Sequence, residues 1–148
     1  MTSEADDAAL ARATLERMYA EEKNAEEEVA TGPTDLDTYF DGLIAVFEWN
    51  LDADHLASRR FVFKASALHP EIVAPYYLRW LTESETDLRA LGLTEADAVV
   101  EARILINVFD GFLYDLVLNG DPEITHAAFL VAMQRYRERL AHLIELSV

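Results

Sequence analysis

The sequence predicts an all-α domain of about six helices. Glycine and proline are sparse, at five and four residues in the chain of 148. No run of alternating apolar and polar residues indicates a half-buried strand, whereas apolar residues recur at the three- and four-residue spacing of amphipathic helices. The chain is long enough for one domain with a core, and we expect residues 1–148 to form it.

Composition narrows the class of protein. The chain is 51% hydrophobic and holds no cysteine, so global disorder is not expected, and disulfides and thiolate metal sites are excluded. The first twenty residues are acidic and amphipathic and lack the apolar core of a signal peptide. We therefore expect a cytoplasmic protein with no membrane association.

The formal net charge is −16, from 28 acidic and 12 basic residues. DNA binding depends on lysine and arginine side chains that neutralise phosphates, so this chain is a poor nucleic-acid binder. Anionic membrane surfaces would repel it for the same reason. The charge suits a cationic partner or ligand.

We expect the first helix to run from about Asp7 to Ala30. The segment Thr31-Gly32-Pro33 ends it, with the glycine able to adopt a left-handed cap. One face is apolar, and it comprises Leu15, Met18, Tyr19, Ala25 and Val29. The opposite face is expected to be acidic and solvated, and it comprises Glu21, Glu22, Glu26, Glu27 and Glu28.

Thr34 is expected to open the second helix, with Asp37 in a capping-box position. Its apolar stripe is Leu36, Phe40, Leu43, Ile44, Phe47 and Leu51. The third helix, about Ala53 to Leu68, is expected to bury Leu56, Phe63 and Ala67 and to expose Arg59. The segment Asp52-Ala53-Asp54-His55 before it has two interpretations, as metal ligands or as a helix N-cap with a surface histidine.

The fourth helix is expected to begin at Pro70, to kink or shorten its first turn at Pro75, and to end at Gly92. Its apolar face is Tyr77, Trp80, Leu81, Ser84, Leu88 and Leu91. Thr94 and Asp97 cap a fifth helix that Asn119-Gly120 closes. Asp121-Pro122 opens the last helix, whose stripe is Ala128, Val131 or Ala132, Tyr136, Leu140 and Leu143.

The fifth helix is the centre of the predicted fold. Its segment Ala98–Asn119 is apolar on nearly every side, yet it holds too many charged residues for a membrane span. Such a helix needs neighbours on most sides, some from this chain and some from a second copy. Gly111 costs helix propensity, about 1 kcal/mol against alanine, which indicates close approach of another helix or of a ligand.

Asn107, Asp110 and Tyr114 share one face of this apolar helix. Polar groups placed there need partners, so a buried hydrogen-bond network, a dimer seam and ligand contact all remain open. The aromatic residues in the middle of the chain likewise suit either core packing or an apolar cavity. No phosphate-binding loop, metalloprotease motif or nucleophile elbow occurs, so no catalytic residue, metal or cofactor is assigned.

The order of several motifs resembles the C-terminal effector-binding domain of TetR-family transcriptional regulators, over about Leu10 to Leu146. The most specific parts are His69-Pro70-Glu71-Ile72 and Glu101-Ala102-Arg103 with Phe109-Asp110-Gly111-Phe112. The other motifs are Arg60-Phe61, Leu88-Arg89-Ala90-Leu91-Gly92, Thr94-Glu95-Ala96-Asp97 and Asn119-Gly120-Asp121-Pro122.

The resemblance implies a homodimer in which the last two long helices of each copy form a four-helix bundle. It also implies a pocket for a small, mostly apolar effector, whose occupancy moves a DNA-binding head. The residues that we expect to line the pocket are Phe47, Tyr76, Tyr77, Trp80, Asn107 and Phe112. Those expected at the dimer interface are Leu116, Val117, Phe129, Met133 and Tyr136.

The family's N-terminal helix-turn-helix head has no counterpart in these 148 residues, so the chain is either a fragment of a regulator or a head-less relative. Any DNA binding belongs to a parent protein and not to these residues. Two alternatives remain: an interaction protein that forms heterodimers with a complete regulator, and an enzyme that reuses the pocket. The enzyme would have Asp110, Glu83 and the histidines as acid–base groups.

Overall fold

The structure, a computed structural model, describes residues 3–30 and 35–148. The described residues form six helices, which confirms the predicted all-α class. The helices are α1 (Glu4–Val29), α2 (Leu36–Trp49), α3 (Ala53–Leu68), α4 (Pro70–Ala90), α5 (Glu95–Asn119) and α6 (Pro122–Leu146). Among the described residues, no helix is both long and apolar enough to cross a membrane.

Side-chain caps set the helix starts. Ser3 accepts a hydrogen bond from the Asp6 amide, and the Asp6 carboxylate accepts one from the Ser3 amide. This capping box satisfies amides that lack helical partners, so α1 begins three residues before the predicted Asp7. Asp35 caps α2 by accepting from Thr38. The predicted cap at Thr34 and the helix end at residues 31–33 lie outside the described residues.

The other helix boundaries agree closely with the sequence predictions. Asp52, Thr94 and Asp121 are the N-caps of α3, α5 and α6, and Gly120 closes α5 in the left-handed conformation with φ 69°. α4 begins at Pro70 and continues without a break through Pro75. The predicted shortening of its first turn does not occur.

The core has two parts. The larger part joins α2, α4, α5 and α6, and at its centre the rings of Phe47 and Phe129 stack with centroids 3.9 Å apart. The smaller part joins α1, α3 and α4 around Met18, Val62 and Ile72. α5 contacts α3, α4 and α6, which places it between the two parts.

One face of α5 is exposed in the described chain. Val100, Ile104, Tyr114 and Leu118 are exposed, because α3, α4 and α6 cover the other sides of the helix and nothing in the described chain covers this one. This open face is where the expectation places neighbours from a second copy.

Three expectations about burial are wrong. Glu22, placed on the solvated face of α1, is only 5% exposed, and Ala67, expected in the core, is exposed. Arg59, expected to point outside, has a side chain that is only 13% exposed. Glu22 and Arg59 lie inside because they pair with each other, which compensates the cost of burying either charge alone.

Candidate ligand-binding cavity

A cavity of about 370 Å³ lies between the two parts of the core. Its volume falls within the range of pockets that hold small molecules in other proteins, and like them it is lined mainly by apolar and aromatic side chains. Residues from α1 to α5 line it: Leu15, Met18, Tyr19, Glu22, Glu26, Leu43, Val46, Arg59, Val62, Phe63, Ser66, Pro70, Val73, Ala74, Tyr76, Tyr77, Trp80, Ile106, Phe109, Asp110 and Leu113.

Helical spacing explains how each element contributes a wall. On α5 the lining residues are Ile106, Phe109, Asp110 and Leu113, which recur at intervals of three and four and therefore share one face. The lining residues of α1 and α4 repeat at similar intervals. The cavity is thus formed where inward faces of several helices meet without filling the space between them.

A pair of opposite charges lies in the wall. Arg59 donates to a carboxylate oxygen of Glu22 and, through Nε, to the side-chain oxygen of Asn50 at 3.1 Å. The Asn50 amide donates to the Val46 carbonyl at 2.9 Å, so Asn50 is engaged on both sides. Burial raises the pKa of Glu22, and the Arg59 charge opposes that increase.

Asp110 is the second carboxylate in this part of the wall. Within residues 3–30 and 35–148, no group donates a hydrogen bond to its side chain or forms an ion pair with it. Burial raises its pKa to about 6, against the lowering influence of the Arg59 charge. The Asp110 charge in turn raises the pKa of Glu22. The cavity therefore presents one carboxylate that none of the described residues pairs.

Glu26 is compensated from outside the cavity. Lys23 lies 3.1 Å from a Glu26 oxygen and 2.8 Å from a Glu83 oxygen, and Glu83 also accepts from the Tyr19 hydroxyl. The Lys23 ammonium lies over the Trp80 ring, 4.6 Å from its centroid. This network ties α1 to α4 along one side of the cavity.

The structure brings three of the six predicted pocket residues to the cavity: Tyr76, Tyr77 and Trp80. Phe47 and Phe112 are not among its lining residues, because both pack against Phe129 in the larger part of the core. Asn107 is exposed, and it donates to the Tyr77 hydroxyl at 3.1 Å from outside the cavity.

The residues predicted at the dimer interface fall into two groups, one buried and one half-buried. Leu116, Phe129 and Met133 are at most 1% exposed, because the sides of α5 and α6 that carry them pack into the chain's own core. This corrects their assignment, since they offer no surface to a second copy. Val117 and Tyr136 are half-buried, and the Tyr136 hydroxyl donates to Glu101, which Arg139 also binds.

A different set of residues forms an exposed apolar face along α5 and α6, which we name the α5/α6 face. It comprises Val100, Ile104, Gly111, Tyr114, Leu118, Ile124 and Val131. Apart from its two chain neighbours and the backbone of its own helix, a methyl group placed on Gly111 would meet no atom of the described chain within 4 Å. The sequence predicted that another helix or a ligand approaches closely at Gly111. No helix of the described chain does so.

Of the two interpretations of residues 52–55, the structure supports the helix N-cap and not the metal ligands. Asp52 accepts hydrogen bonds from the amides of Asp54 and His55. His55 has its Nδ1 2.8 Å from the Trp49 carbonyl oxygen, and its ring stacks on Trp49. These groups serve the junction between α2 and α3.

Glu22 and Arg59 were missed as cavity residues, although a signal existed. Glu22 continues the spacing of Leu15 and Met18, and Arg59 lies three residues before Val62 on the inward side of α3. A charged residue in register with an apolar stripe lies on the buried face of its helix.

Comparison of the chain with profiles of known families, with curated proteins and with solved structures finds no match.

Proposed function

We propose that this chain is the ligand-binding and dimerisation domain of a TetR-like transcriptional regulator that senses a small, mostly apolar molecule in the cytoplasm. The observation that carries the proposal is the apolar cavity between α1 and α5. In the whole regulator, DNA contact belongs to the family's helix-turn-helix head and not to these residues.

The cavity favours a binding function over simple core packing. Side chains that line an unfilled space forfeit dispersion contacts on that side, so a cavity of this size lowers the stability of the domain. An apolar occupant restores those contacts. The aromatic side chains of Tyr76, Tyr77 and Trp80 supply large flat surfaces for it.

The α5/α6 face supports the dimerisation part of the proposal. Exposed apolar side chains that gather into a patch mark protein–protein contact sites, and the last two long helices are those that pair in the family this sequence resembles. Gly111 in the middle of the face gives a second helix room to approach closely.

α5 provides a physical link between ligand and dimer. One side of the helix carries Phe109 and Asp110 into the cavity wall, and the other carries Ile104 and Gly111 on the α5/α6 face. A ligand that fits one position of α5 better than another shifts the population toward that position. The arrangement of the two copies then follows the ligand.

Plugging the cavity tests the binding function. Ala74 lines the cavity and is also exposed, so the substitution Ala74→Trp puts an indole ring at its opening. We expect native mass spectrometry of protein purified from a bacterial cytosol to show a retained small molecule, and this substitution to abolish its retention. Ala67→Trp, at an exposed position of α3, is the matched control. A wild-type protein that never retains a ligand counts against the proposal.

A charge on the α5/α6 face tests dimerisation. We expect sedimentation to give twice the 16.7 kDa chain mass for the wild type and the monomer mass for Val131→Glu, because a carboxylate buried against a second apolar helix is costly. Leu78→Glu changes an equally exposed leucine on α4 and should leave the dimer intact. A monomeric wild type would contradict the homodimer.

Gly111→Ala separates the stability of the monomer from association. The added methyl group meets nothing in the described chain, so helix propensity alone should stabilise the monomer by about 1 kcal/mol. If a second helix approaches at Gly111, the same methyl group should weaken the dimer. We therefore expect unfolding of dilute protein to shift to higher denaturant while the dimer dissociation constant rises.

The α5/α6 face also suits the alternative of an interaction protein that pairs with a complete regulator. The association state of the chain distinguishes this alternative from the homodimeric sensor. A chain that is monomeric alone but forms a heterodimer with a regulator, and loses that heterodimer through Val131→Glu, supports the interaction protein over the homodimeric sensor.

A further inference from the structure

The charges in the cavity wall do not balance. The lining includes the carboxylates of Glu22, Glu26 and Asp110 and one cation, Arg59. Glu22 is paired with Arg59, and Glu26 is paired with Lys23. Asp110 remains as one carboxylate whose charge no described residue pairs.

Arg59 is unsuited to recruit an anionic ligand. Its Nε and one of its terminal nitrogens already donate to Asn50 and Glu22, and the Glu22 carboxylate compensates its charge. An anion entering the cavity would meet the unpaired Asp110 carboxylate and would compete with Glu22 for the Arg59 charge. The electrostatics of the wall therefore disfavour carboxylate and phosphate ligands.

From this geometry we infer that the ligand of the cavity is an amphipathic monocation, an apolar body with one protonated amine whose ammonium pairs with Asp110. The inference rests on the proposed ligand-binding function and adds the chemical class of the ligand. A charge in an apolar wall is tolerated when it is paired and hydrogen-bonded, and an ammonium supplies both the charge and the donors that no described residue gives to Asp110.

The rest of the lining suits such a molecule. Apart from the charged groups, the wall consists mainly of aliphatic and aromatic side chains, which accept an apolar body. The Tyr76, Tyr77 and Trp80 side chains add π-faces, which attract cations as well as apolar groups. A neutral apolar ligand would leave Asp110 unpaired, and an anion would repel it.

The titratable and charged groups that share the cavity with Asp110 are Glu22, Glu26 and Tyr19 of α1, Arg59 of α3, and Tyr76 and Tyr77 of α4. Burial raises the pKa of Asp110 to about 6, and a protonated carboxyl no longer attracts an ammonium by charge. Amine binding should therefore weaken as the pH falls from about 7.5 to about 5.

Three probes with one tail and different head groups test the inference: n-octylamine, n-octanol and n-octanoate. Calorimetric titration of the whole chain at about pH 7.5 should rank them amine, alcohol, carboxylate. A charge-assisted hydrogen bond corresponds to an affinity gain of about tenfold or more. Asp110→Asn should remove the preference for the amine over the alcohol, and it should abolish the loss of amine affinity at low pH.

Asp41→Asn is the matched control, because Asp41 is exposed on α2 and lies outside the cavity; it should keep the wild-type ranking. If octanol binds as tightly as octylamine, or if Asp110→Asn leaves the amine preference intact, the inference is overturned and the ligand-binding function stands. If none of the three probes binds to the wild type, the proposed function fails, and the inference fails with it.

Discussion

Arg59→Met should lower the free energy of unfolding by about 3–5 kcal/mol, because removal of one partner of a buried ion pair leaves the other charge uncompensated. The side chains of Arg59 and Glu22 are only 13% and 6% exposed. The substitution also leaves the Asn50 side-chain oxygen without the donor that Arg59 provides. Urea unfolding near pH 7 measures the loss.

The pH dependence of that loss has a definite sign. Burial already raises the pKa of Glu22, and Arg59 is the main influence that opposes this increase. Without Arg59 the folded-state pKa of Glu22 rises further above its unfolded value. The Glu22 carboxyl of the folded variant then binds a proton more readily than it does in the unfolded chain. The loss of stability caused by Arg59→Met should therefore become smaller as the pH falls.

Two companion variants isolate the buried pair. Arg60→Met removes the exposed neighbouring arginine of α3 and should change stability by less than about 0.5 kcal/mol. The double variant Glu22→Leu with Arg59→Met replaces the pair by apolar groups and should recover most of the loss, as such replacements do elsewhere. An Arg59→Met variant as stable as the Arg60→Met control would show that the pair does not stabilise the fold.

The helix boundaries could be predicted because their signals are local. Asp52, Thr94 and Asp121 accept hydrogen bonds from amides two or three residues ahead, so the sequence around each cap carries the whole interaction. Gly120 likewise takes a left-handed conformation that few residues other than glycine adopt. The predicted range of α3, Ala53 to Leu68, matches the structure for this reason.

The interior charges depend on tertiary packing and were therefore missed. Glu22 and Arg59 lie 37 residues apart, and neither has a local partner that would reveal the pairing. A charged residue in register with an apolar stripe was the available signal, but the surrounding glutamates of α1 indicated a solvated face instead. The pair becomes visible only when α1 and α3 are placed side by side.

Residues that line the cavity and residues that fill the core have the same helical periodicity in the sequence, so the sequence does not distinguish them. Tyr77 and Phe112 are both aromatic residues at helical spacing, yet Tyr77 faces the cavity while Phe112 packs edge-on against Phe129. Periodicity identifies the inward face of a helix, but it does not show whether the neighbouring helix fills the space in front of that face. The same limit explains why Leu116 and Met133 were assigned to an interface although they are in the core.

Asp110→Asn should make the ligand-free protein more stable near pH 7, by about 1–3 kcal/mol. The folded-state pKa of about 6 lies above the ordinary value of 3.8, so between these values the folded protein binds more protons than the unfolded chain. The contribution of Asp110 to stability therefore decreases as the pH rises through this range and is lowest above it. Asparagine does not ionise and avoids that loss.

The advantage of Asp110→Asn over the wild type should thus be greatest above about pH 6 and should disappear below about pH 4. Thermal or urea unfolding at several pH values measures it, with Asp41→Asn, an exposed carboxylate of α2, as the control that should show no such trend. An Asn variant equal to or less stable than the wild type at pH 7 would mean that Asp110 has a stabilising partner. In this proposal the Asp110 carboxylate lowers the stability of the ligand-free protein and in return binds an amine. Such a trade-off between stability and function is expected of a binding residue, because the ligand and not the fold compensates its charge.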